Sequence, residues 1–468
     1  MLYNYQKILL VKLLELYSFY SLRSVLVLIF VIGLGFTDNT AFLVYTNFVV
    51  GGDIISILGG YFGDKLLTRR ISWVIGSFIS IFGYGYSYFH FTGTDIPFGL
   101  IFAGMGLGLC RCNSNVIIND YIQEEITKDE RHNHNGIFHV VTIIALLLGF
   151  LVNGFVIKYL NPAYVFAISS ASVLAGLILF LSLEWKQLKE EVISTFRGQL
   201  KKLFYVFGLL CVAFAFGKIL AILKDNIQVL ILICVCISII ILSRISTKYP
   251  GRDKQSILSL LLYVPFYLIY LSFEKQLDMG FSLFLFRSVN RDIFGFQIPP
   301  PAITGIFSVA ILSASFIFYK KSVYSYFKHH STLIIGLFCA LLYFSMNYLG
   351  CLFSNDGSVN IVFPILSLIF LGIADVVIVP RMYSLCRNVP EDIKSTAASL
   401  MMLSHGSGFY IAGKLAKLVA IEKDAANVIH DTMIYQHGFL NLIIVNVVVL
   451  TAVFVLTKMH YGALLARK

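Results

Sequence analysis

The sequence predicts an all-α polytopic membrane protein, and two observations predict it. Apolar residues make up 58% of the 468 positions and charged residues only 13%, whereas a soluble domain carries about 25% charge in its polar skin. Apolar runs long enough to cross a bilayer recur along the whole chain, and a helix satisfies its own backbone hydrogen bonds there. The same figures exclude a disordered chain and argue against a nucleic-acid protein, despite the net charge of +11.

Fourteen runs fall in groups of six, two and six. The first group covers residues 8–36, 42–62, 71–90, 96–118, 137–159 and 163–183. A charged stretch over 184–202 closes it, and two further runs come at 203–223 and 227–242. Beyond a second basic linker lie 257–279, 302–319, 333–353, 361–379, 396–418 and 439–459. The expected organisation is a six-helix bundle over 1–184, a linker with two accessory spans over 185–256, and a second six-helix bundle over 257–468. The first run is long and has no small-residue cleavage site, so it is expected to be retained.

Loops on the side of the N-terminus carry 24 Lys and Arg against 7 on the other side, which puts both termini in the cytoplasm. The positive charge is therefore a topology signal of a multi-pass protein of the cytoplasmic (inner) membrane. Eight cysteines form no CxxC pair and lie almost entirely in the runs, as buried thiols do. His132, His134 and His139 lack acidic or thiol partners at ligand spacing, so neither a metal nor another cofactor is expected beyond a coupling proton.

Ten charges remain inside the runs: Lys12, Arg23, Arg111, Lys275 and Lys414, with Glu15, Asp53, Glu274, Asp278 and Asp375. A charge at the bilayer centre costs about 2.5–3.5 kcal/mol on insertion scales, so these must pair, touch water or face a shared polar interior. Lys12, Asp278 and Lys414 lie near run ends, from which a side chain can snorkel. Arg23, Asp53, Arg111 and Asp375 sit deeper. On a helix, Glu15 and Arg23 are about 80° apart, with Phe19 and Tyr20 between them on one broad face. A strip of acid, aromatics and base suits a zwitterionic substrate, and the acid can also carry a proton.

The same residues carry a family resemblance. Glu15-Leu-Tyr-Ser-Phe-Tyr-Ser-Leu-Arg23 resembles the first-helix signature ExxERFxYYGxR of the proton-dependent oligopeptide transporters. Gly59-Gly-Tyr-Phe-Gly-Asp64-Lys-Leu-Leu-Thr-Arg69-Arg70 resembles their loop motif GGxxADxxxGRR. Gly106-Leu-Gly-Leu-Cys-Arg111-Cys-Asn113 is similar to GxGxxKPN of the fourth helix, with Arg for Lys. Glu274-Lys-Gln276 and the loop from Arg287 to Pro299 are similar to the seventh-helix EQ and its adjoining loop. Asp375 stands five residues before Pro380, where the family has the Glu of ExxxSP, and Ser395 to Gly413 fits the eleventh helix.

The resemblance implies a major facilitator fold of six plus six helices with a two-helix insertion, working by alternating access around a site near the midplane. It implies symport of di- or tripeptides with protons. Arg23 and Arg111 would hold the peptide carboxylate, Asp375 would face the ammonium group, and Glu274 would be a coupling or gating acid. Phe19 and Tyr20 would line the same site, and Asp64, Arg69 and Arg70 would serve as the gating loop motif.

The departures sit at the coupling motif. Lys12 replaces the first Glu of ExxER and Leu16 its Arg, leaving Glu15 alone. The second-helix Tyr of the family pocket aligns with Asp53, the fifth-helix Asn with Ile143, and the seventh- and eleventh-helix Trp with Leu271 and Met401. The expectation is that Asp53 and Lys12 form a substitute ion pair, moving the proton carrier from the first helix to the second. The same departures allow a facilitator, or a transporter of another small zwitterionic or anionic metabolite. A membrane-embedded enzyme would rest on His329-His330, which has no acid or nucleophile nearby in sequence. A channel fits less well, because the charges are spread over at least six helices rather than ringed at one constriction.

Overall fold

The structure, a computed structural model, describes residues 2–61, 63, 67–93, 95–125, 131–196, 208, 235–236, 239–240, 242–320, 329–390, 394–421 and 428–465. Its first helices are α1 (Leu2–Arg23), α2 (Asp38–Tyr61), α3 (Arg69–Phe89), α4 (Ile96–Glu125), α5 (Arg131–Tyr159) and α6 (Tyr164–Phe196). The later ones are α7 (Gly251–Glu274), α8 (Gly280–Arg287), α9 (Pro300–Lys320), α10 (His329–Leu352), α11 (Val362–Arg387), α12 (Lys394–Ala416) and α13 (Val428–Leu465). Among the described residues, nine stretches are long and apolar enough to cross a membrane, with α7 and α8 counted together over Asp253–Arg287. Helices α2, α3 and α12 are of comparable length at 24, 21 and 23 residues. These helices match both sixfold groups expected from the hydropathy. The expected accessory pair over 203–242 falls almost wholly outside the described residues.

The chain divides into two compact units. The first comprises Met1–Phe36 and Leu43–Ile227, and the second comprises Thr37–Phe42 and Gln228–Lys468.

In the first unit, α1 packs against α5 and α6, and α3 packs against α4 and α6. The first helix is interrupted after Arg23 at Ser24 and Val25, then resumes as a short helix at Leu26–Leu28 and a π-turn at Ile29–Gly33. The Ser24 hydroxyl donates to the Ser21 carbonyl at 2.7 Å, occupying one acceptor near the break. Helix α3 starts cleanly because Thr68 is extended and its hydroxyl oxygen accepts from the Ile71 amide at 3.3 Å. Trp73 then packs against Phe180 of α6, the two rings tilted with centroids 4.2 Å apart, in a core shared with Tyr5, Ile8 and Val11 of α1.

Helices α3 and α4 approach backbone to backbone at Gly83 and Gly99. A methyl group on Gly83 would lie 2.3 Å from the Ala103 nitrogen and 2.6 Å from the Gly99 oxygen. Neither neighbour is a side chain able to turn away. Gly83→Ala is therefore expected to cost about 1–3 kcal/mol by overpacking. A thermal unfolding midpoint in detergent equal to that of the unsubstituted protein would contradict this contact.

In the second unit, α10 packs against α11 and α13, α9 against α11, and α7 against α12. The α7–α8 span is broken in the middle by a single 3₁₀ turn, Lys275–Asp278. An aromatic core surrounds the break, with Phe273 5.4 Å from Phe344 and Phe284 5.0 Å from Phe439. The loop after α8 holds a small hairpin, Asp292–Ile293 with Phe296–Gln297, whose turn residues Phe294 and Gly295 both have positive φ. Asp38, at the start of α2, belongs to this unit. It accepts two hydrogen bonds from Arg287, at 2.6 and 2.8 Å, and one from the Ile421 amide at 2.9 Å.

Candidate functional site

Four of the residues singled out from the sequence line one pocket of the first unit. Glu15 and Phe19 come from α1, Asp53 from α2 and Arg111 from α4. Phe48, Val49 and Leu107 supply apolar wall, and Ser56 a hydroxyl. Glycines set the spacing of α2 and α4 here. A methyl group on Gly108 would lie 2.6 Å from the Gly52 oxygen and 3.0 Å from the Ser56 nitrogen. That approach brings Asp53, the neighbour of Gly52, and Arg111, almost one turn beyond Gly108, onto the same pocket wall.

Arg111 donates through Nη1 to Asp53 Oδ1 at 3.1 Å. Its side chain is 21% exposed and that of Asp53 only 5%, so the pair has a buried acid and a more accessible base. The guanidinium also sits over the Phe19 ring, 4.7 Å from its centroid, where the aromatic face favours a cation. Such a group offers a carboxylate up to two parallel hydrogen bonds in a dry setting.

Lys12 and Glu15 form a second, closed cluster beside this pocket. Lys12 Nζ donates to Glu15 Oε1 and to Ser114 Oγ, both at 2.7 Å. Ser114 Oγ donates to the same Glu15 oxygen at 3.1 Å, and Trp73 Nε1 donates to Oε2 at 2.9 Å. Both carboxylate oxygens are thus used, and Lys12 is 1% exposed. The expected Lys12–Asp53 pair is corrected by this geometry. Lys12 and Glu15 are three residues apart on one helix, so they share a face and meet locally, while Asp53 faces Arg111 across the glycine contact. Snorkelling is also corrected for Lys12 and Asp278, both of which are buried; Lys414 is exposed, over the Tyr410 ring.

Arg23 and Tyr20 lie next to each other at the end of α1, outside the lining of that pocket. The Arg23 guanidinium is 5.5 Å from the Tyr20 ring centroid, and the Phe19 and Tyr20 rings meet edge on at 5.3 Å. Arg23 is itself buried.

In the second unit, Glu274 ends α7 and is in contact with Lys275 in the 3₁₀ turn. The Lys275 ammonium lies 5.1 Å from the centre of Phe409. Asp375, midway along α11, is half-buried, and the Tyr270 hydroxyl donates to it at 3.4 Å. A break in the middle of a span that places an acid, a base and another acid at Glu274, Lys275 and Asp278 is the kind of discontinuous helix transporters use for ligand and ion sites.

Of the loop motif, Asp64 lies outside the described residues. Arg69 reaches Asp120 at 3.5 Å on an exposed surface, where such a pair contributes little. Arg70 is different. It donates to Glu184 at 2.6 Å and to Glu191 at 2.7 Å, both on α6, and Glu184 also accepts from Tyr121. Burial lowers the Arg70 pKa, but the two carboxylates outweigh it and hold the guanidinium protonated. Sequence reasoning misses Trp73, Ser114, Glu184 and Tyr270. No charge marks three of these four inside a span; Glu184 falls in the expected charged stretch because the hydropathy drops there.

The Major Facilitator Superfamily description matches residues 8–413 of this chain. Dipeptide and tripeptide permease B of Shigella dysenteriae serotype 1 is 21% identical over 451 residues, covering 92% of this chain and 89% of that protein. Dipeptide and tripeptide permease A of Proteus mirabilis is 22% identical over 454 residues, with coverage of 94% and 91%. Among solved structures, tetrameric PepTSo2 is similar at a TM-score of 0.81 and 16% identity, covering 98% of each chain. A POT family transporter in complex with 5-aminolevulinic acid reaches a TM-score of 0.77 at 17% identity, covering 96% of this chain and 95% of that one. The helices in two groups, the broken α7–α8 span and a family match over most of the length agree, and the chain belongs to the Major Facilitator Superfamily.

Proposed function

We propose that this chain is a proton-coupled symporter of di- and tripeptides in the cytoplasmic membrane, working by alternating access as a member of the proton-dependent oligopeptide transporters. The observation that carries the reading is the Asp53–Arg111 pair on the wall of an apolar pocket. It joins a group that can take a carboxylate to a group that can take a proton. Arg111, with Arg23, receives the peptide carboxylate, and Phe19 and Tyr20 hold those guanidinium groups in place. In the second unit, Asp375, backed by the Tyr270 hydroxyl, is an acid able to receive an ammonium group, and Glu274 is a second acid at the break in its span. Arg69 and Arg70 carry the loop motif, Arg70 through its ties to α6. No metal or organic cofactor is required. The permeases of similar length support the peptide reading.

A second reading has its own support. Asp53 stands where the family pocket has a tyrosine, and one similar POT family transporter is known in complex with 5-aminolevulinic acid, which is not a peptide. Transport of another small zwitterion, coupled or not, would use the same residues. Uptake of labelled dialanine into proteoliposomes, with and without an inward proton gradient, separates the readings. The symport reading expects accumulation that needs the gradient. Equal uptake without it indicates a facilitator, and uptake of 5-aminolevulinic acid but of no dipeptide favours the second substrate class.

A further inference from the structure

Only residues 288–299 separate Arg287, which ends α8, from Pro300, which opens α9. Within them Asp292 pairs with Gln297 and Ile293 with Phe296, so the turn of the hairpin is Phe294-Gly295. Both turn residues have positive φ, 53° at Phe294 and 79° at Gly295, as a type I′ turn requires. Glycine suits that backbone, and asparagine is the usual residue before it. A bulky side chain at positive φ is an outlier. Phe294 is held there all the same, with its side chain wholly exposed at 105%.

The hairpin is braced from both ends. Arg291 donates through Nη1 to the Ile298 carbonyl at 3.1 Å and through Nη2 to the Phe286 carbonyl at 3.2 Å, which joins its base to the last turn of α8. The Gly295 amide donates to Asp292 Oδ1 at 2.8 Å and closes the turn. Residues directly opposite in an antiparallel pair share a face. Ile293 and Phe296 therefore lie on one side, 37% and 46% exposed, and Asp292 and Gln297 on the other. The tip from Ile293 to Phe296 carries no charge. Backbone strain at a fixed, exposed aromatic points to a use for the ring.

We propose that this hairpin is a membrane anchor, with Phe294, Ile293 and Phe296 seated in the interfacial layer of the lipid leaflet beside the end of α8. Two observations choose lipid as the partner. The hairpin is tied at both ends to spans, Asp253–Arg287 and Pro300–Ile317, which keeps it at the membrane surface. Its legs, 291–293 and 296–298, reach about 10 Å at about 3.3 Å per residue. Interfacial segments sink about 5–10 Å into the headgroup boundary, so that reach suffices. The faces are also sorted as an interfacial element needs, apolar Ile293 and Phe296 against polar Asp292 and Gln297. Removing the Phe294 ring from water offsets the strain of the turn. The anchor acts on the span as well. Through the Arg291 contact with Phe286, a seated hairpin ties α8, the half beyond the break at Lys275–Asp278, to the bilayer.

The test uses the full-length protein in phosphatidylcholine vesicles, with and without bromine atoms on the lipid acyl chains. Tryptophan fluorescence of Phe294→Trp and of Phe296→Trp is read against the background of Trp73 and Trp185. The added emission of each variant should be quenched by brominated lipid and shielded from iodide in the water. No added quenching by brominated lipid overturns the proposal in either of two ways. With iodide reaching the reporter, the tip stands in water; with iodide excluded, it packs on protein, such as a second copy of this chain. Phe294→Asn guards against a folding defect, because asparagine accepts positive φ. It should leave the thermal unfolding midpoint in detergent unchanged or raised. Combined with Phe296→Trp, it should cut the quenching of that reporter by brominated lipid at least twofold. Undiminished quenching there shows that Phe294 is not the anchor and overturns the assignment.

Discussion

Arg111→Gln is expected to lower substrate affinity by about 10- to 100-fold, since a hydrogen bond to a charged partner contributes about 1.5–3 kcal/mol. The guanidinium is the accessible cation of the pocket, and an amide can neither neutralise a carboxylate nor present two parallel donors. Arg111→Lys separates charge from geometry. It keeps the cation but loses the planar fork and the stacking on Phe19, so its affinity should fall between the other two. Equilibrium binding, with thermal unfolding as a check on folding, provides the comparison. An Arg111→Gln protein that folds and binds as tightly as the original would remove Arg111 from the site.

Lys12→Met is expected to have the largest effect on stability, about 3–5 kcal/mol, because it strands the buried Glu15 carboxylate without its cation. Adding Glu15→Gln to it should recover part of that loss. The amide oxygen still accepts from Trp73, and no bare charge remains. Thermal unfolding of the single and double variants in detergent reads the difference. A single variant as stable as the original would show that the cluster does not hold α1 to α3 and α4. Exchanging Lys12 and Asp53, by contrast, should restore nothing, since the two residues have different partners.

Much of this architecture was legible in the residues. Hydropathy located each of the long helices, because a bilayer leaves an apolar run little choice but a helix, while helices such as α6 and α13 extend well beyond their apolar runs. The break in the α7–α8 span was less visible. Its run reads as continuous, and only the clustering of Glu274, Lys275 and Asp278 hints at the interruption. The ten intramembrane charges also stood out by composition, and the structure brings Glu15, Asp53 and Arg111 to one pocket.

The partners of those charges were not legible in the same way. The Lys12–Glu15 contact is a three-residue spacing on one helix and was available from the sequence. Aligning Lys12 with a family glutamate drew attention instead to Asp53, its supposed replacement partner. The Asp53–Arg111 contact had a fainter signal, the glycines at 52 and 108, each placed close to its charge.

By itself the sequence determined that this protein lives in a membrane, how its helices are grouped, and which few charges are too costly to be there without a reason. Local forces suffice for that, since insertion energies and backbone hydrogen bonds are decided run by run. Only the tertiary structure decided which base meets which acid. That distinction depends on the register of α1, α2, α3 and α4 against one another, where Trp73 and Ser114 close around Glu15 and the glycine contact sets Asp53 against Arg111.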